Sequence, residues 1–225
     1  MIDVDIPQLT SDDIDFGDDC FRYTYSLQSS STHTSISSSF DATGLENYIN
    51  FGKQEPTVSS TVIRNRTELN SIPLDVEDLW ISRFDTSDVS EFSPSRFQSL
   101  KTLVIGNGLF WSVNRLELNN LTSLQILYIG NGCFGKVRVF ELDGLSELES
   151  VVIGENSFTG NGIHTSLRIL NCNSLSSIQI SDASFANFQS IELRGLPSLV
   201  SIVMGERCFS STQELEISGY HSCDN

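Results

Sequence analysis

The amino-acid sequence predicts a β-rich solenoid, a stack of 24-residue turns with parallel strands, preceded by an acidic, serine-rich tail. A first motif recurs five times without gaps, with a spacing of 24 residues that rises once to 27, and begins at Leu100, Leu124, Leu148, Leu175 and Leu199. A second, shorter motif recurs between these units, and negative charge is concentrated at the N-terminal end. Because one such unit cannot bury its apolar face alone, stacking on neighbouring turns is the expected solution.

The first motif, LKTLVIGNGLF (100–110), contains a short strand with three inward side chains, Leu100, Leu103 and Ile105. We expect the phenylalanine that ends the motif to fill the core and to stack from turn to turn (Phe110, Phe134, Phe158, Phe185 and Phe209). A glycine follows the strand in four units, at Gly106, Gly130, Gly154 and Gly205, and is expected to supply a positive φ at a tight corner.

The second motif predicts a second strand in each turn, with its apolar residues pointing inward. Its copies are LELNNL (116–121), FELDGL (140–145), LRILNC (167–172), IELRGL (191–196) and LEISGY (215–220). The three extra residues of the third unit fall between Phe158 and Leu167, where Gly160, Asn161 and Gly162 indicate a loop.

The tail covers residues 1–60, which hold ten acidic and two basic side chains, a net charge of −8 out of −16 for all 225 residues. Serine and threonine dominate the stretch from Ser26 to Ser39. Such a composition buries too little apolar surface to offset chain entropy, so we expect residues 1–60 to be mostly disordered. Within them, residues 21–27 alternate apolar and polar side chains, which favours a strand that docks on the body or a linear motif offered to a partner.

The body divides into an N-terminal cap with a degenerate first repeat, residues 61–99, and the repeat array, residues 100–225. Val76, Leu79 and Ile81 keep the repeat register in the first part, and Thr86 stands where later units have phenylalanine. The array ends inside a further repeat with no capping segment. This predicts either that the chain is a fragment of a longer protein, or that a partner or another stacked copy of the chain covers its last turn.

The first motif resembles the leucine-rich-repeat pattern Leu-x-x-Leu-x-Leu-x-x-Asn-x-Leu. The segment LESVVIGENSF (148–158) is similar to the BspA-like subgroup of bacteria and protists. The resemblance covers about residues 76–223 and implies binding through a concave sheet, often at a cell surface, without chemistry. The family's asparagine position reads Gly108, Gly132, Asn156, Ala183 and Arg207, so we expect its side-chain ladder to be missing. A plainer parallel β-solenoid is the structural alternative.

The candidate binding residues are those that lie, in each turn, between the last two inward positions of the first strand. This outward row reads Trp80, Val104, Tyr128, Val152, Gln179 and Val203. Tryptophan and tyrosine favour a binding stripe, whereas β-branched residues equally suit any strand. Six rungs of four residues give a face of about 380 Å², below the roughly 800 Å² per partner of a standard interface.

The outward row of the second strand is charged: Glu117, Glu141, Arg168, Glu192 and Glu216. Adjacent rungs would place carboxylates ~4.8 Å apart, close to the spacing of a retaining glycosidase pair. Catalysis needs two carboxyls in unlike environments, whereas these are equivalent and exposed. We therefore expect a solvated face in which Arg168 bridges Glu141 and Glu192, with a basic partner as a secondary possibility.

The sequence therefore predicts a non-enzymatic protein-binding scaffold, with a BspA-like adhesin as the alternative and a parallel β-helix enzyme third. We expect no cofactor and no metal, because the histidines and the five cysteines do not form a ligand or catalytic set. A net charge of −16 disfavours nucleic acid, and no apolar run is long enough for membrane insertion. Cysteines spaced too far apart to pair and the acidic N-terminus favour the cytoplasm.

Overall fold

The computed structural model describes residues 4–5, 14–16, 60–82, 84–160 and 162–218, and it shows a parallel β-solenoid. The first sheet has eight strands: β2 (Ile14–Phe16), β3 (Thr61–Ile63), β4 (Asp78–Ile81), β5 (Thr102–Ile105), β6 (Ile126–Ile129), β8 (Ser150–Ile153), β10 (Ser177–Ile180) and β12 (Ser201–Met204). The second sheet has five: β1 (Val4–Asp5), β7 (Val139–Asp143), β9 (Ser166–Leu170), β11 (Ser190–Arg194) and β13 (Glu214–Ser218). Every turn of the array thus contributes to the first sheet, as its 24-residue period predicts.

A short helix and a 3₁₀ turn belong to the N-terminal cap. Helix α1 (Arg66–Asn70) begins after Asn65, whose Oδ1 accepts from the N–H of Glu68 while its Nδ2 donates to Glu68 Oε1. The 3₁₀ turn spans Pro94–Arg96. Strand β4 pairs in register with β5, and Val76, Leu79 and Ile81 are buried, so this segment adds a further rung to the first sheet.

The phenylalanines form a continuous column through the core, as predicted. Phe134 has no exposed surface, and its ring centroid lies 5.6 Å from that of Phe110 and 5.4 Å from that of Phe158. Phe92 stacks on Phe110 at 4.4 Å and extends the column toward the N-terminal cap. The five repeat phenylalanines all have φ between 52° and 57°, a region that bulky residues rarely adopt.

The corner after the first strand uses its glycine in a different way from the one predicted. Gly130, Gly154 and Gly205 are not among the residues with positive φ. A Cβ on Gly154 would instead overlap Asn131 Oδ1 and would lie 2.6 Å from Asn131 N. Glycine is therefore required here by the close approach of the preceding turn, and the predicted positive φ is wrong.

The positive φ falls two residues later, at Gly108, Gly132, Asn156, Ala183 and Arg207, with φ from 54° to 71°. A side-chain ladder that the sequence analysis did not predict runs through the residue before this position. Asn131 N–H donates to Asn107 Oδ1 at 2.8 Å, and Glu155 N–H donates to Asn131 Oδ1 at 2.9 Å. Asp182 repeats the contact with Glu206 N–H.

A second, buried ladder consists of the serine or cysteine side chains immediately before four of the five repeat phenylalanines. Ser157 Oγ accepts from the N–H of Cys133 at 3.1 Å and donates to the carbonyl of Gly130 at 2.8 Å. Ser184 donates in the same way to the carbonyl of Gly154. Cys133 and Cys208 occupy equivalent positions and donate their thiols to Gly106 and Ser181 carbonyls. This ladder satisfies main-chain groups that would otherwise be orphaned in an apolar core.

The N-terminal region contributes one strand to each sheet at the far end of the array. Strand β1 pairs with β13 and β2 pairs with β12, both in parallel. The expected uncapped C-terminal edge is therefore wrong where these strands pair with it, while stacking of another copy stays a prediction. Apart from β1 and β2, the predicted disorder of residues 1–60 lies outside the described residues. The predicted strand at residues 21–27 and the end of the further repeat also lie outside them.

Candidate functional site

The six candidate binding residues lie in one row across the first sheet, as predicted. Trp80 pairs with Val104, Val104 with Tyr128, and Tyr128 with Val152, each as in-register neighbours. The row continues through Gln179 to Val203. The register places the Cα atoms of Trp80 and Tyr128 two rungs apart, about 10 Å.

The row is less accessible than the sequence predicts. Only 5% of Val104 is exposed, and only 7% each of Val152 and Gln179. Trp80, Tyr128 and Val203 remain partly exposed. The prediction that the whole row faces solvent is therefore wrong for three members, because the packing around them covers short side chains that the strand pattern alone leaves outward.

We define an aromatic patch as Trp80, Val104 and Tyr128, in which the two aromatic side chains are partly exposed. The buried valine lies between two larger rings, so any molecule that contacts the patch contacts mainly the aromatic side chains. Burial raises the pKa of the Tyr128 hydroxyl, which will therefore remain protonated through the physiological range. The patch combines apolar area with a hydroxyl donor, a pairing typical of interface anchors.

Sequence reasoning missed Trp111, which is 47% exposed. A Cβ built on Gly135, one turn further along, would overlap the indole ring, so the ring lies flat against that glycine. The signal was present in the sequence. The residue after the core phenylalanine is small or polar in the other turns (Gly135, Thr159, Ala186 and Ser210), and tryptophan breaks that pattern.

The charged row on the second sheet has the predicted arginine bridge. Arg168 Nη1 lies 2.6 Å from Glu141 Oε2, and Arg168 Nε lies 2.9 Å from Glu192 Oε2. The hydrogen bond to Glu192 is the main cause that raises the pKa of the Arg168 guanidinium. One cation thus pairs with both carboxylates, which lie in similar, partly exposed positions on the sheet.

Beside this bridge the second sheet forms a cleft of about 570 Å³. Its charged lining consists of Arg168, Glu192, Glu214 and Glu216, which leaves a net negative charge in the cleft. Within the residues that the structure describes, there is no group of three or more histidine, cysteine, aspartate or glutamate side chains placed to hold a metal ion. The cleft suits a cationic group of a partner through charge alone.

The described cysteines are buried in the core, and their thiols donate to main-chain carbonyls. Burial raises the pKa of both Cys133 and Cys172 to about 11. The thiolate, which is the nucleophilic form, is therefore scarce at neutral pH. These residues are structural components of the turns rather than candidates for covalent catalysis.

Helices in the described ranges are all shorter or more polar than a bilayer crossing requires. No family model, curated protein sequence or solved structure matches this chain. The aromatic patch and the charged cleft are therefore interpreted from their own chemistry.

Proposed function

We propose that this chain is a non-enzymatic scaffold that binds a protein partner through the outward row of its first sheet. The observation that carries the proposal is the aromatic patch, where Trp80 and Tyr128 lie in register on either side of buried Val104. Large aromatic side chains on a rigid sheet lose little conformational entropy on binding, and they are the residue types that dominate interface energy.

The patch is small, so the partner must also contact surfaces around it. Lys101 and Glu77 form an ion pair of 2.7 Å next to the first rungs of the same sheet. An apolar centre with charged residues at its margin is the usual anatomy of a protein interface. The proposal therefore concerns an interface centred on the N-terminal rungs rather than on the full row of six residues.

Absence of enzymatic activity is part of the proposal, and it is supported by the second sheet. Two of its glutamates, Glu141 and Glu192, are paired with Arg168 on an open face. The net charge of −16 supports a protein partner over a nucleic acid. The buried, reduced thiols of Cys133 and Cys172 support a reducing compartment such as the cytoplasm.

The alternative is a surface adhesin of the BspA-like type, which rests on the motif resemblance at residues 148–158. Fractionation of tagged full-length protein in the source cell separates the two. Recovery in the soluble cytosolic fraction favours the scaffold, and recovery at the cell surface or in the medium favours the adhesin.

The binding face is tested by replacing Trp80 and Tyr128 together with serine. We expect the double variant to lose the partners that the parent chain recovers in a quantitative pull-down from the source cell, because truncation of such anchors commonly costs at least ~2 kcal/mol of binding energy. Melting curves of the variant check that the array is still folded.

The matched control replaces Glu141, on the second sheet, and Glu117, one turn before it, with glutamine, which removes two charges and keeps side-chain shape. This variant should recover the same partners as the parent. If the glutamines abolish recovery and the serines do not, the binding face is the second sheet and the partner is basic.

A further inference from the structure

At the C-terminal end of the array, both sheets end on strands from the N-terminal region. In the second sheet Val4 pairs with Ile217, and in the first sheet Ile14 pairs with Ile202. Phe16 pairs with Met204, the last residue of β12. The two segments thus occupy the position that the next turn of the solenoid would take.

The spacing between these two strands matches the spacing inside the array. From Leu193 in the second sheet to Ile202 in the first, the chain advances nine positions, and from Val4 to Ile14 it advances ten. Leu193 and Ile202 belong to successive turns, whereas β1 and β2 both lie one rung beyond the β12–β13 turn, so the two N-terminal strands extend both sheets without repeating the rise of a regular turn.

The sequence around β1 and β2 also carries the repeat. FGDDCF (16–21) has the same spacing of glycine, cysteine and phenylalanine as MGERCF (204–209). The first residues of the two segments, Phe16 and Met204, pair with each other in the first sheet. IPQL (6–9) matches LPSL (196–199), the segment between β11 and β12. Neither match is apparent without the pairing, because the segment is about 190 residues away from its partner in the chain.

We propose that strands β1 and β2, which lie in a segment whose sequence resembles a displaced repeat unit (2–21), cap the β12–β13 edge of their own chain. We further propose that this edge pairs with a second copy of the chain when the cap is released. The inference is independent of the binding face proposed above, because it concerns the edge of the sheets and not their outward surface.

The covalent connection permits capping within one chain. Strands β2 and β3 are the two outermost strands of the eight-stranded first sheet, so residues 17–60 must link its opposite edges. Seven rung spacings amount to about 34 Å, whereas 44 residues reach up to roughly 140 Å when extended. A tethered segment has a high effective concentration at its site, which favours the cap over a second copy at ordinary protein concentrations.

The chemistry of the edge explains why a cap is needed. The outer side of an uncovered parallel strand presents unpaired N–H and C=O groups, which are a template for another strand. The capping strands place aspartates, Asp5 and Asp15, within the new outer edge, and residues 1–19 hold seven aspartates and no basic residue. Charge on an edge strand discourages pairing with a further chain.

The first test uses alkylation of the native full-length chain, read for each cysteine by mass spectrometry. The sequence match aligns Cys20 with buried Cys208, so we expect Cys20 to react at least about tenfold more slowly in the native chain than in the urea-unfolded chain. A Cys20 that reacts as fast in the native as in the unfolded chain would overturn the displaced repeat.

The second test replaces Ile14 and Asp15 with proline in the full-length chain. In a strand, every second N–H group donates to the neighbouring strand, so either Ile14 or Asp15 supplies a hydrogen bond to β12. Because proline has no N–H, replacing both residues removes that hydrogen bond in either case. We expect Cys20 to become reactive while Cys133 stays protected. Light scattering should show a mass of two or more copies, reduced again by an added peptide of residues 1–21.

The control for this variant is Ser31→Pro, which lies in the serine-rich stretch and should change neither Cys20 reactivity nor mass. A double-proline chain that exposes Cys20 but retains the mass of one copy would overturn the pairing of the bared edge. General loss of Cys133 protection would mean that the segment is an integral part of the fold and not a cap that can be released, which also overturns the proposal.

Discussion

The two corners of each turn reverse the chain by different means, although both contain glycine. We define the first corner as the segment from the end of a first-sheet strand to the core phenylalanine, and the second corner as the residue that follows a second-sheet strand. At the first corner Gly154 is required because the preceding turn comes too close for a Cβ. At the second corner Gly144 has φ of 68° and nothing within 4 Å of an added Cβ.

The corners also differ in how their main-chain groups are satisfied. At the second corner the N–H of Gly144 donates directly to the carbonyl of Leu170, one turn further along. At the first corner side chains of Asn131 and Ser157 are inserted into the hydrogen bonding between turns. The first corner is therefore specified by side chains from several turns, and the second mainly by backbone conformation, with a side-chain contact from Asn171 to Asp143. Substitutions should consequently be far more costly at the first corner.

The largest effect is expected for Phe134→Ala, at the end of the first corner. The substitution removes a ring that contacts Phe110 and Phe158 and leaves a cavity, at a cost of about 3–5 kcal/mol. Urea titration measures the change in free energy of unfolding. Because turns couple only to their neighbours, hydrogen exchange should show fraying on both sides of the lost ring.

Phe134→Leu is the matched control, since it keeps most of the side-chain volume and should cost less than about half as much. An alanine variant as stable as the parent chain would contradict the role of the phenylalanine column.

The next effect is expected for Gly154→Ala. The added methyl group overlaps Asn131 Oδ1 and crowds the main chain of the preceding turn, so the turns must separate locally. Overpacking of this kind costs about 1–3 kcal/mol, and we expect the upper end because two of the crowded atoms are main-chain atoms that cannot rotate away. Thermal and urea unfolding of the variant measure the loss.

Gly144→Asn provides the comparison at the second corner. Asn120 and Asn171 already occupy equivalent positions with φ of 67° and 54°, so asparagine fits the required conformation. We expect a change within about 0.5 kcal/mol, because asparagine tolerates the left-handed region. Equal losses at Gly154 and Gly144 would show that both corners need glycine for the same conformational reason.

Sequence analysis could predict the fold because the period is long, regular and read from buried residues. The spacing of Leu103, Leu127 and their equivalents gave the register of the first sheet, and that register placed Trp80 and Tyr128 in one row. It also placed Arg168 between Glu141 and Glu192, where the predicted ion pairs are found. Burial pattern fixes which face a residue occupies, so these inferences need only the strand period.

The remaining features depend on distances between turns, which the period does not contain. A glycine in a sequence does not show whether conformation or close contact requires it, and Gly154 was assigned the wrong reason. The buried ladder escaped detection because cysteine and serine fill the same position in different turns, so residue identity does not repeat. The exposure of Val104 and Gln179 depends on the packing around them, and β2 was hidden by its distance along the chain from β12.

The smallest loss that still distinguishes the corners is expected for Ser157→Ala. Ser157 Oγ is the acceptor for the N–H of Cys133 and the donor to the carbonyl of Gly130, and its side chain is buried. Alanine leaves both main-chain groups without this partner in the core, while it adds no steric conflict. We therefore expect a loss of about 1–2 kcal/mol in the free energy of unfolding, measured by urea titration.

Ser157→Cys is the matched control for the ladder, and it decides between hydrogen bonding and simple packing. Cysteine stands at the equivalent positions Cys133 and Cys208, where each thiol donates to the carbonyl of the residue after the preceding first-sheet strand. A thiol at residue 157 should therefore recover most of the stability that alanine loses, although sulfur is the weaker donor and acceptor. If alanine and cysteine were equally stable, the ladder would contribute only by filling space, and the first corner would owe its specificity to Gly154 and Asn131 alone.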